Sequence, residues 1–145
     1  MGRLLCLDYG KKRVGIAVTD PLKIIASGIE TVKEHGIRQY LREYIEKEEV
    51  EGLVVGYPKT LRNEPSEAVR YIEPFLKWFR KAFPAIPVML YDERFTSKMA
   101  EDSMIRGGVP RGARRDRSQV DRISAALILQ SYLDSEKSKQ DRMTE

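Results

Sequence analysis

Two apolar runs, residues 4–7 and 14–18, are separated by only six residues at the start of the chain. No other feature constrains the fold as much. Runs of Leu, Ile and Val this short, bounded by Gly and charged residues, read as buried β-strands. A connection of this length suits an antiparallel hairpin and is too short for a parallel crossover. Gly10 in the turn can take a positive φ without steric cost. Asp8 closes the first apolar run, a costly place for a carboxylate unless it is paired or holds a cation. Lys11, Lys12 and Arg13 follow at once. Two readings stand side by side. Asp8 starts a turn, for which Asp is favoured; or it belongs to a site that holds a metal ion and a phosphate together.

The rest of the chain alternates strand and helix signals. Residues 24–32 read as a third strand after the Asp20-Pro21 turn, which makes the first three strands an antiparallel meander. Residues 37–49 place Ile37, Tyr40, Leu41, Tyr44 and Ile45 on one helical face. Residues 50–56 form a short apolar strand, followed by a loop that carries Tyr57, Lys59 and Arg62. A second helix is expected from about Glu64-Pro65 to Phe83, with Val69, Ile72, Phe75, Leu76 and Phe79 inward. Pro74 predicts a kink or break at Glu73. Residues 87–91 form the fifth strand, which ends in Asp92-Glu93-Arg94. Residues 98–106 read as a helix stopped by Gly107-Gly108, and residues 109–117 as a mobile basic loop. The last helix is expected over 118–133, with Val120, Ile123, Leu127 and Ile128 on its apolar side. This order, βββαβαβαα, indicates an α/β domain with a mixed sheet whose later strands enter in parallel through helical crossovers. The domain is expected over 1–134, and the charged residues 135–145 as a disordered tail.

Composition narrows the function. A chain of 145 residues is one domain's worth. The single cysteine, Cys6, cannot form an internal disulfide, and with no signal-peptide pattern at the start the expectation is a cytoplasmic protein. No run approaches the ~20 apolar residues of a membrane span, so no membrane partner is expected. The net charge of +4 is compatible with nucleic acid. A lone histidine, His35, and one cysteine make no zinc set, and no Walker-type phosphate loop is present.

Three acidic positions stand out: Asp8 at the end of the first strand, Asp92-Glu93 at the end of the fifth, and Asp121 early in the last helix. If strands one and five are parallel neighbours, their C-terminal ends are adjacent, at the edge where open α/β sheets bind ligands. Carboxylates gathered there repel one another unless divalent cations neutralise them. An all-oxygen set selects Mg²⁺ or Mn²⁺, and two such ions on a phosphodiester support in-line attack by water. Each position also has a plainer reading. Ser118 and Asp121 fit a capping box, and Asp92-Glu93 precedes a potential cap. Between Asp92 and Glu93, alternation along the strand sends only one to each face.

The stretches LDYGKKRVGIAVTDP, YDERFTS and VDRISAALILQSYL resemble, in order, three signatures of the YqgF family, also called RuvX. The resemblance covers residues 4–133. It implies the RNase H-like fold of RuvC-type Holliday junction resolvases, with a five-stranded mixed sheet of order 3-2-1-4-5 flanked by helices. It also implies a metal-dependent nuclease that processes the 5′ end of pre-16S rRNA, with Asp8, Glu93 and Asp121 as catalytic, metal-binding carboxylates and Mg²⁺ or Mn²⁺ as cofactor. Two departures stand out. Ser124 occupies the place of a fourth acid found in RuvC-type enzymes, and the loop after Gly56-Tyr57-Pro58 lacks the family's usual glycine. Phosphate contacts are expected from Lys11, Lys12, Arg13, Tyr57, Lys59, Arg62, Arg94, Arg111, Arg114, Arg115 and Arg117. The expected partner is structured RNA or branched DNA, met as a monomer or weak homodimer. A Holliday junction resolvase and a non-catalytic RNA-binding assembly factor remain alternatives. An actin-like ATPase is disfavoured, because such proteins need two domains of this kind.

Overall fold

β1 (Arg3–Tyr9) and β2 (Arg13–Thr19) pair as the expected hairpin in a computed structural model that describes residues 2–10, 12–57, 69–92 and 117–144. Both strands are longer than their apolar runs. Asp8 and Arg13, expected in the turn, are ladder residues, with Asp8 opposite Gly15. The turn is closed by the Gly10 N–H donating to the Arg13 carbonyl at 2.9 Å.

β3 (Ala26–Lys33) pairs antiparallel with β2. It starts two residues later than the apolar pattern implies. The Asp20 carboxylate accepts the N–H groups of Leu22, Ile24 and Ile25, which removes Ile24 and Ile25 from the ladder and leaves them exposed. A turn of 3₁₀ helix, Glu34–Gly36, leads into α1 (Ile37–Lys47). β4 (Val50–Tyr57) returns parallel to β1, and after α2 (Val69–Ala82), β5 (Val88–Asp92) lies parallel to β4. The sheet order is β3-β2-β1-β4-β5, as the resemblance implies; β1 and β5, read as neighbours in placing the carboxylates, are separated by β4.

Alternation along the strands divides the core in two. Leu5, Leu7, Val14, Ile16, Leu53 and Val55 face α1 and α2, where they meet Ile37, Leu41, Ile72, Phe75, Leu76 and Phe79. Leu4, Cys6, Ala17 and Val54 face the opposite side and meet Ala125, Ile128 and Leu129 of α3 (Arg117–Thr144). α2 runs on through Pro74 without the expected break. Ile72, Phe75, Leu76 and Phe79 are all buried around that residue, and the burial of so much apolar surface outweighs one missing backbone hydrogen bond.

Two expectations about the last helix are corrected. It does not end at residue 133 but continues to Thr144. The tail is rich in Lys, Glu, Gln and Arg, good helix formers, and extending an existing helix is far easier than nucleating one. Its buried face is also rotated. Ser124, Ala125, Ile128 and Leu129 are covered, whereas Val120, Ile123 and Leu127 are half-buried. The cause is how near α3 lies to the sheet. A Cβ built on Gly15 would stand 2.1 Å from the Asp121 carbonyl oxygen, and one on Gly28 2.7 Å from that of Arg122. Where the helix comes this close, near Gly15 and Gly28, only small side chains fit, so Ser124 and Ala125 go inward there, and Ile128 and Leu129 are accommodated a turn further on. The bulkier Ile123 and Leu127 line a groove with Ala26 and Gly28. The expected helix over 98–106 lies outside the described residues, as does the stretch 58–68.

Candidate active site

The C-terminal ends of β1, β4 and β5 share one edge of the sheet. Leu7 is level with Val55, and Tyr57 with Asp92. Asp8 follows Leu4 and Cys6 in alternation, so it lies on the α3 face, while Leu5, Leu7 and Tyr9 lie on the other. Gly15, its cross-strand partner, has no side chain to stand between Asp8 and the helix. Through that gap the backbone of α3 reaches the sheet at Asp121. Residues directly opposite in an antiparallel pair are about 5 Å apart. Asp8 and Asp121 are therefore brought to the same patch of one sheet face by a single glycine.

Asp121 is the fifth residue of α3, so it lies too far into the helix for the capping box that the sequence suggests. Its Oδ2 accepts from Arg13 Nε at 3.0 Å. Arg13, also expected to meet substrate phosphate, lies on the α3 face of β2 and ties the hairpin to the helix across 108 residues of sequence. Both side chains are partly exposed, 37% and 24%, so solvent screens the pair and it adds little stability. Its role is to hold the carboxylate in place.

The far side of the hairpin is pinned as well. The Tyr9 hydroxyl donates to Glu34 Oε1 at 2.5 Å, and the Glu34 N–H donates to the Lys12 carbonyl at 2.9 Å. Burial, and secondarily the Glu34 carboxylate, push the Tyr9 phenol well above its ordinary pKa. Tyr9 stays a neutral donor at any physiological pH.

Ser124 lies one turn beyond Asp121, at the position where RuvC-type enzymes carry their additional acid. It is 1% exposed, and its hydroxyl has no hydrogen-bond partner among the described residues. It is enclosed in the helix–sheet interface and is not an oxygen open to solvent at the edge. A buried unpaired hydroxyl costs about 1–3 kcal/mol. Ser124→Ala is therefore expected to raise the unfolding temperature by a few degrees and to leave divalent-ion affinity unchanged, as read by calorimetry. A fall in ion affinity would make Ser124 a ligand.

Of the remaining expected residues, Lys12 is exposed in the turn, Tyr57 ends β4, Asp92 ends β5 and Arg117 opens α3. Lys11, Lys59, Arg62, Glu93, Arg94, Arg111, Arg114 and Arg115 lie outside the described residues. Among the described residues, no three of His, Cys, Asp and Glu are gathered to hold a metal ion. Asp8 and Asp121 are both hard oxygen donors, and that chemistry fits Mg²⁺ or Mn²⁺. Sequence reasoning missed Gly15 and the Arg13–Asp121 pair. The first had a signal: a glycine inside the β-branched run Val14 to Val18 marks a close backbone approach.

A family model described as "RuvX: Holliday junction resolvase" matches residues 2–135. A protein of Porphyromonas gingivalis is 50% identical over 135 residues, covering 93% of this chain and 98% of its own. One of Christiangramia forsetii is 51% identical over 133 residues, covering 92% and 98%. Both are named as proposed pre-16S rRNA nucleases. Among solved structures, RuvC of T. thermophilus in complex with a Holliday junction superposes with a TM-score of 0.56 at 19% identity, covering 94% of this chain and 96% of that one. The fowlpox virus resolvase, solved with Holliday junction DNA, gives 0.53 at 15% identity, covering 92% and 97%. The fold is thus the RuvC-type, RNase H-like arrangement.

Proposed function

The chain belongs to the RuvX family, and from that membership we propose that it is a nuclease that cleaves phosphodiester bonds in pre-16S rRNA. The observation that carries this reading is the placement of Asp8 and Asp121 on one face of the sheet edge, across Gly15. Alternation along β5 supports a third member. Met89 and Tyr91 pack on the α3 face, which favours Glu93 over Asp92 for that side.

Asp8, Glu93 and Asp121 would hold Mg²⁺ or Mn²⁺. Such an ion supplies Lewis-acid stabilisation of charge on a phosphoryl group and a water acidified for attack. The chain's own residues do the positioning. Arg13 orients Asp121, and the Tyr9–Glu34 bond fixes the strand that carries Asp8. Lys11, Lys12, Arg94 and the basic residues 111–117 are suited to phosphate, the dominant source of affinity for nucleic acid. No helix among the described residues is long and apolar enough to cross a membrane.

A second reading, resolution of DNA junctions, is favoured by the family model's description and by neighbours solved with Holliday junctions. The two separate in one experiment. Purified protein is incubated with pre-16S rRNA and with a synthetic Holliday junction, each with Mg²⁺, Mn²⁺ or EDTA. Metal-dependent cleavage of the RNA, abolished by EDTA, is expected. Cleavage of the junction alone would favour the second reading. Tight RNA binding with no cleavage under any metal would leave an assembly factor.

A further inference from the structure

Arg38 and Arg42, one turn apart on α1, both reach towards α2 and lie over the ring of Trp78. Each guanidinium carbon is 5.4 Å from the ring centroid. The two charges are therefore no further apart than twice that distance. Like charges four residues apart on a helix disfavour it, and neither arginine forms an ion pair among the described residues. The nearby Glu43 is engaged by Gln39 instead. Cation–π attraction to the indole offsets part of the repulsion and holds both charges at one place on the surface. A guanidinium carries five N–H donors, and with no carboxylate paired to either arginine among the described residues these can serve another partner.

That partner has a recognisable chemistry. A planar fork of N–H donors matches the oxygens of a phosphate, and two forks set on one rigid ring match a polyanion better than a single small ion. Lys77 and Lys81 lie on α2, one residue before and three after Trp78, and both are exposed. The patch is on the α1/α2 side of the sheet, opposite α3. It starts close to the candidate edge: Arg38 is in the first turn of α1, four residues after Glu34, which accepts from the Tyr9 hydroxyl, and Tyr9 follows Asp8.

We infer that Arg38, Arg42 and Trp78 form a second phosphate-binding surface, which grips the backbone of a bound nucleic acid away from the carboxylate edge. The inference rests on the nuclease reading for its ligand. The surface would anchor a flank of the substrate while the edge acts on the scissile bond. It reads no sequence, since phosphate contacts position and do not specify.

The test is binding of a fluorescently labelled RNA stem–loop in EDTA, so that no cleavage intervenes, over a series of salt concentrations. Arg38→Gln with Arg42→Gln is expected to weaken binding. It should also make the dependence of log K on log salt shallower by about 0.7–0.9 for each phosphate that is no longer neutralised. In cleavage assays the same variant should raise KM and leave kcat unchanged. Lys at both positions keeps the charge but not the planar fork, so it should retain the salt slope and still bind more weakly. Wild-type affinity and salt slope in both variants would overturn the inference while leaving the nuclease reading intact. A wild-type protein that binds neither the stem–loop nor a DNA junction would overturn both together.

Discussion

Asp8→Asn is expected to lose cleavage almost completely while folding as well as the wild type. Asparagine keeps the shape of the side chain and removes its charge. A metal-held phosphoryl group gains several kcal/mol of stabilisation, and each ~1.4 kcal/mol is a tenfold change in rate. The loss should therefore reach at least about 10²–10³-fold in kcat, measured on pre-16S rRNA with saturating Mg²⁺. Thermal unfolding in EDTA separates a ligand from a structural residue. Asparagine can keep the shape and much of the hydrogen bonding of the side chain, so the variant's unfolding temperature in EDTA should stay close to that of the wild type. A fall of several degrees in EDTA would return Asp8 to the role of a turn or ladder residue. Asp121→Asn should lose activity in the same way. It will also release Arg13, so a modest loss of stability is compatible with its role.

Gly15→Ala is expected to be the most damaging single-methyl change in the described core. The new Cβ would stand 2.1 Å from the Asp121 carbonyl oxygen and 2.5 Å from its carbon. The obstacle is backbone, so no rotamer change can relieve it, and the whole of α3 must lift. Overpacking of this kind costs about 1–3 kcal/mol and sometimes more, or about 10 °C in the unfolding temperature for a domain of this size. The same lift carries Asp121 away from Asp8, so cleavage should fall even at temperatures where the variant is folded. Gly36→Ala is the control. Nothing lies within 4 Å of a Cβ there, and stability should change by less than about 1 kcal/mol. If Gly15→Ala unfolds like the control, the helix does not depend on that glycine for its approach.

The sheet is legible from the residues alone because its signals are strong and local. The runs around Leu5 and Ile16 are too apolar to be anything but strands, and six residues between them leave only a hairpin. The α1 face is readable from Ile37 and Leu41 at helical spacing. The α3 face is not, and the reason is physical. Periodicity weighs a residue by its hydrophobicity, so Ile123 and Leu127 look inward and Ser124 outward. The packing weighs a residue by its size, because the helix runs over Gly15 and Gly28. Likewise, Ile24 and Ile25 continue the β-branched pattern, but the Asp20 carboxylate captures their N–H groups and the ladder starts at Ala26. The acidic positions Asp8 and Asp121 can be named from sequence, yet the Arg13–Asp121 pair cannot. A contact across 108 residues has no local signature.

That separation has a consequence for synthesis. The hairpin bearing Asp8, with α1, α2 and β4, can collapse early around Phe75 and Phe79, since all of it precedes residue 92. The described cover of the other face, Ala125, Ile128 and Leu129, comes only with α3. The chain is made from its N-terminus, and contacts distant in sequence are slow to form because closing a large loop costs entropy before any favourable packing is gained. The carboxylates of Asp8 and Asp121 therefore meet only once the sheet-packing part of α3, through Leu129, has emerged. A protein proposed to cut ribosomal RNA is thus unarmed until α3 has left the ribosome and packed on the sheet.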